Sequence, residues 1–190
     1  MMRDPHRSGL CRKEARRARR GAAALDFVVM SATRCGGCGL EIARGTAGCR
    51  SVFEELVARD FSDVRYFRVH RLMVDTYALQ HPDDYCASAK SMAAHLTGVA
   101  WLLDRDVSRA TGSAALRRWV EAHPDLERPT PPAFRGALTI ADVRVAKEPR
   151  AYADAVDRWA RSTWEAYAPL HAIAHEWIQA ALEVPSRPRR

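Results

Sequence analysis

From Gly48 to Leu182 the apolar residues recur at helical spacing, and prolines decide where the helices must stop. Residues 51–61 place Val52, Phe53, Leu56, Val57 and Phe61 on one broad face. Ser62 or Asp63 can cap the helix that follows, and "VRYFRVHRLMVDTYALQH" runs on to His81, where Pro82 ends it. "CASAKSMAAHLTGVAWLLDR" reads as a third helix and "GSAALRRWVEAH" as a short fourth. The loop "HPDLERPTPPAFRG" holds four of the ten prolines. "ALTIADVRVA" alternates and is β-branched enough for one short extended segment. "PRAYADAVDRWARSTWEAYA" is strongly amphipathic, and Pro169 either kinks it or starts a further helix to about Leu182. The expected fold is mainly α: a single helical-bundle domain over residues 35–183 with an N-terminal zinc-knuckle-like loop. The five tryptophans all fall in helical segments and read as core or groove lining.

Charge narrows the function classes. The net charge is +7, but residues 1–34 carry nine Arg/Lys against three Asp/Glu, and the rest is nearly neutral. A nucleic-acid reader would concentrate positive charge on a folded face, so only non-specific phosphate contact by the basic arm is expected. That arm, "RRARRGAAALDFVVMSA" included, imitates a secretory signal. Asp26 interrupts the apolar run and Arg34 spoils a cleavage site before Cys35. Residues 1–34 therefore read as a disordered basic arm, with Met30 as an alternative start, and 184–190 as a tail. The uncharged run Ser91–Leu103 is too short to span a bilayer. A cytoplasmic protein is expected, and no particular partner is implied.

The chemistry starts at "RCGGCGLEIARG". A phosphate loop would need a different glycine spacing and a Lys-Ser/Thr pair, and a redox pair would open a helix after a strand. A C-x-x-C pair followed by glycine instead suits a zinc knuckle, whose tight turn folds over two thiolates. A structural zinc wants four donors. Cys49 is the next candidate. The first two helices are joined by a short turn and should run antiparallel. Cys49 then lies beside residues 76–80, near Tyr77 and His81 and far from His70. The expected metal site is Cys35, Cys38, Cys49 and His81, with Cys86 as an alternative fourth donor.

The other histidines suggest a second grouping. His95 should come near residues 70–74 on the antiparallel third helix. His171 and His175 form an i, i+4 pair able to share an ion, although the zincin general base is not in place. His70, His95, His171 and His175 could cluster between helices, with Asp75 orienting one of them.

The order "CGGCGLE", "VFEELVARDFSD", "VHRLMVDTYALQHP", "KSMAAHL", "LTIADV" and "WARSTWEAYAPLH" resembles a bacterial domain-of-unknown-function family, over roughly residues 35–180. Its most specific part is the helix motif carrying His70, Asp75, Tyr77, Gln80, His81 and Pro82. Cys35, Cys38, Cys49, His95 and His171 match family positions and His175 does not. The resemblance implies the domain outline and no activity. Two function classes remain: a zinc-stabilised helical protein with a binding or regulatory role, and a metal-dependent hydrolase or transferase using the histidine cluster.

Overall fold

The stretch around the first two cysteines is a hairpin. In the computed structural model, which describes residues 31–103, 109–123 and 125–183, strand β1 (Ala32–Arg34) pairs antiparallel with β2 (Glu41–Ala43), Thr33 facing Ile42. The folded unit thus begins before residue 35, and 41–43 is strand where loop was expected. Both strands are only three residues long and mostly exposed, so neither shows the alternation that marks a half-buried strand. The expected arm over 1–30 and the tail 184–190 lie outside the described residues.

Helix α1 (Gly45–Ser62) buries Cys49, Val52, Leu56 and Asp60 along one stripe. The next helix is not continuous as expected. It splits into α2 (Val64–Phe67) and α3 (His70–Gln80), because Val69 leaves helical geometry at φ −112°, ψ 4°. Asp63 caps α2 by accepting the Arg65 backbone N–H at 2.8 Å. Pro82 opens a one-turn helix, α4 (Pro82–Tyr85). Helices α5 (Ala89–Leu103) and α6 (Arg109–Ala122) follow.

The segment expected to be extended is a short helix, α7 (Ile140–Arg144). Its start is a capping box: the Asp142 carboxylate accepts the Thr139 backbone N–H at 2.7 Å, and Ile140 and Val143 turn inward. Residues read as β-branched alternation are therefore a cap followed by an i, i+3 apolar pair. Helix α8 (Pro149–Ala166) buries Tyr152, Val156, Trp159 and Thr163 at helical intervals. A 3-10 turn (Ala168–Leu170) carries Pro169 into α9 (His171–Glu183).

Helix α3 lies at the centre, packed on α5 and α8 and touching α1, and α6 and α9 close over α5. From Asp75 to Gln80 every residue of α3 is buried. Met73, Tyr77, Leu79, Leu96 and Trp159 are almost wholly inaccessible, and each such side chain contributes about 1.5–3 kcal/mol. Gln80 Nε2 donates to Leu138 O at 2.8 Å and Arg135 O at 3.0 Å, tying the proline-rich loop to the end of α3, while its Oε1 has no partner among the described residues. Among the described residues no helix is long and apolar enough to cross a membrane.

Candidate metal centre

Four donors converge where the hairpin meets α1 and the end of α3. Cys35 and Cys38 sit in the hairpin turn, Cys49 on the first turns of α1, and His81 at the C-terminus of α3. Their ligand atoms all lie within 4.8 Å of one another. His81 Nε2 is 3.4 Å from Cys35 Sγ and 3.5 Å from Cys49 Sγ, and the Cys38 and Cys49 sulfurs are 3.7 Å apart. That last separation is far beyond a disulfide bond, and all three are free thiols. Cys86 is not in the group: its thiol is buried and faces Ala78 O at 3.5 Å. Such a donor set can hold a metal ion.

The surroundings fix each donor. His81 donates from Nδ1 to Tyr77 O at 2.8 Å, which sets the tautomer and leaves the Nε2 lone pair facing the thiols. Its ring also stacks on Tyr77, which stacks in turn on Phe53 of α1 at 4.0 Å between centroids. The turn lies directly on this imidazole. A Cβ at Gly37 would stand 2.2 Å from His81 Cδ2 and 2.9 Å from Gln80 O, so only glycine fits. From the proline-rich loop, Arg135 Nη1 donates to Gly37 O at 2.7 Å.

The hydrogen bond between Cys38 and Cys49 shifts these two thiols in opposite directions. The hydrogen bond with Cys49 pulls the Cys38 thiol down to about 4 against the effect of burial, helped by His81 and the Leu40 amide. Cys49 moves the opposite way, raised by that same bond and by burial. Burial pushes the His81 imidazole down, but Cys38 and the Tyr77 carbonyl outweigh it, and the net direction is upward. A cation among these donors would hold the sulfurs as thiolates.

The remaining histidines have separate engagements. His70 Nδ1 is 2.9 Å from Asp60 Oδ2 on α1, and Tyr152 donates its hydroxyl to Asp60 Oδ1 at 2.7 Å. His95 Nδ1 is 2.8 Å from Asp75 Oδ1, so Asp75 does orient a histidine, and that carboxylate also accepts from Arg71 Nε. His171 Nε2 donates to Trp164 O at 2.8 Å, and His175 stands edge-on to Trp164. His70 and Asp75 are five residues apart, about 140° around α3, so His70 turns to α1 while His95 meets another side. Among the described residues the only group of three or more converging donors is the Cys3His set.

Asp60 was not foreseen as the partner of His70, nor Tyr152 as a second donor to Asp60. A signal existed: Asp60 continues the buried Val52, Leu56 stripe at i+4, and a carboxylate on such a stripe needs partners. Burial pushes its carboxyl up, while Tyr152 and His70 pull against that.

Fold and site together define a mainly helical domain, clasped at one end by a Cys3His group able to take a metal ion. The chain belongs to the DUF5946 family, a family of unknown function, which matches residues 33–168. The match takes in all four donors, His70 and His95. It ends before His171, which was expected within it. No curated protein and no solved structure matches the chain.

Proposed function

We propose that the Cys3His group holds one zinc ion and that the protein is a zinc-stabilised helical domain with a binding or regulatory role. The donor spacing carries this reading. Zinc bonds of about 2.3 Å to sulfur and 2.0–2.1 Å to nitrogen, set tetrahedrally, put sulfurs about 3.7 Å apart and sulfur about 3.5 Å from nitrogen. Three of the six donor separations here are 3.7, 3.4 and 3.5 Å, and all lie within 4.8 Å. Thiolates with one imidazole favour zinc over the hard, oxygen-seeking cations. Four protein donors leave no open position for substrate, which makes the ion structural. Free thiols suit a reducing compartment such as the cytoplasm. Elemental analysis is expected to find one zinc per chain, and complete chelation to lower the melting temperature clearly. Unchanged melting after zinc is fully removed overturns the structural role.

A second reading, a metal-dependent hydrolase or transferase, has one specific support. His70 and His95 each rest Nδ1 on a buried carboxylate, the arrangement that orients histidine ligands through Nε2. In this reading a second metal stands on such a histidine. Metal remaining in Cys35→Ser and lost on adding His95→Ala favours it; one zinc per chain, gone in Cys35→Ser, excludes it.

A further inference from the structure

A cavity of about 750 Å³ opens between α3, α5 and α6, away from the Cys3His group. Its size falls in the range of small-molecule sites. Trp101 and Leu102 of α5 and Leu116 and Val120 of α6 give the lining an apolar part. The lining also carries the cations Arg71 of α3, Lys90 of α5 and Arg117 of α6 and, among the described residues, one carboxylate, Glu121. The Arg117–Glu121 pair is 3.7 Å apart and largely exposed, so it restrains Arg117 little.

Arg71 is different, because it is held. Its Nε donates to Asp75, a fully buried carboxylate that also accepts from His95, yet the Arg71 side chain stays 57% exposed. Gly98 makes room for this anchor. A Cβ there would stand 2.2 Å from Asp75 Oδ2 and 3.2 Å from Arg71 Nη2. The missing side chain lets the pair lie against α5 at the cavity wall. A guanidinium fixed beforehand loses little freedom when it meets an anion, and its fork matches carboxylate and phosphate oxygens. Trp101, which lines the cavity, is itself buried, and its indole N–H has no acceptor among the described residues. Buried donors are normally paired.

We propose that this cavity binds a small amphipathic anion. An apolar body lies against Trp101, Leu116 and Val120, and a carboxylate or phosphate head sits at Arg71, Lys90 and Arg117. Asp75 is a positioning residue that holds Arg71, and His95 shares the same carboxylate. This site is independent of the identity of the ion at the Cys3His group.

The test is calorimetric titration of the full, zinc-assayed chain with decanoate, decyl phosphate and decyltrimethylammonium, all below their micellar concentrations, and with acetate and inorganic phosphate as heads alone. Saturable binding of at least one decyl anion is expected, about tenfold or more tighter than the cation or either head. Comparing the two anions tells which head the site takes. Arg71→Gln is expected to weaken the anion about tenfold or more, with zinc content unchanged and the fold retained, although Asp75 loses one partner and the melting temperature falls. Ala94→Leu, which fills the wall and removes no charge, is expected to weaken all decyl probes together. No saturable binding, equal binding of anion and cation, or full affinity in a folded Arg71→Gln variant each overturns the proposal. None of these outcomes bears on zinc content, so failure here and failure of the zinc reading are told apart.

Discussion

At the hairpin corner, His81 rests Nδ1 on a neutral backbone carbonyl and turns Nε2 toward three sulfurs. In the middle of α5, His95 rests Nδ1 on the buried carboxylate of Asp75, which Arg71 also holds. The two imidazoles are fixed by the same nitrogen and differ in what stands behind and in front of it. Three thiolates would already exceed the charge of a divalent ion held there, and a neutral carbonyl behind His81 would orient the ring without adding more negative charge. At Asp75 the charge is in the carboxylate itself, and the histidine and arginine are its partners. One residue type thus stands ready as a neutral donor to a cation in one region and keeps company with a buried carboxylate in the other.

The comparison breaks most directly at Cys49. Cys49→Ser is expected to abolish stoichiometric zinc and to cost several kcal/mol of folding free energy, on the order of 3 or more. Denaturant melts paired with metal analysis check both, and retained zinc with native stability contradicts the corner as drawn. On the carboxylate side, Asp60→Ala strips both His70 and Tyr152 of their acceptor. It is expected to destabilise by roughly 3 kcal/mol while zinc stays at one per chain. Loss of metal in that variant would mean the two regions are not separate.

Smaller changes sharpen the contrast. Gly37→Ala pushes a methyl into the His81 ring and is expected to weaken zinc retention against a competing chelator, with a stability loss of about 1–3 kcal/mol. The least effect concerns pH in the metal-free protein. Cys38 is depressed in the folded state from its usual 9.0 to about 4. Its contribution to stability is fully present above pH 9 and is lost as pH falls toward 4. Below pH 9 Cys49, raised in the folded state, is protonated in both states and adds nothing. His81, raised above 6.5, works the other way, contributing below 6.5 and fading as pH rises. The stability gap between metal-free wild type and Cys38→Ser should therefore narrow from pH 9 to pH 5. A gap that widens as acid is added contradicts the assignment of the thiolate to Cys38.

Much of the corner was legible because helices have a fixed rise. Counting back from the α1–α2 turn placed Cys49 beside the end of α3, and His81, not Cys86, stands in the group. The helical class followed from stripes such as Tyr152, Val156, Trp159 and Thr163. The hairpin was hidden because three-residue exposed strands carry no pattern. Helix α7 was hidden because Ile140 and Val143 suit either period until Asp142 is seen to cap through Thr139. The break at Val69 has no local breaker; Tyr66 instead ties α2 to Lys147 O, a contact 81 residues away in sequence. Asp60 was within reach as the polar end of the Val52, Leu56 stripe, but Tyr152, which meets it across 92 residues, was not.

The bond from Arg135 to Gly37 O spans 98 residues of sequence and joins the proline-rich loop to the turn carrying Cys35 and Cys38. Arginine followed by glycine is a cleavage site for trypsin, and this arginine is occupied only while the turn is closed. Digestion at the Arg135–Gly136 bond would therefore clock the opening of the clasp. A nick in a loop without cysteines would report on sulfurs the protease never meets.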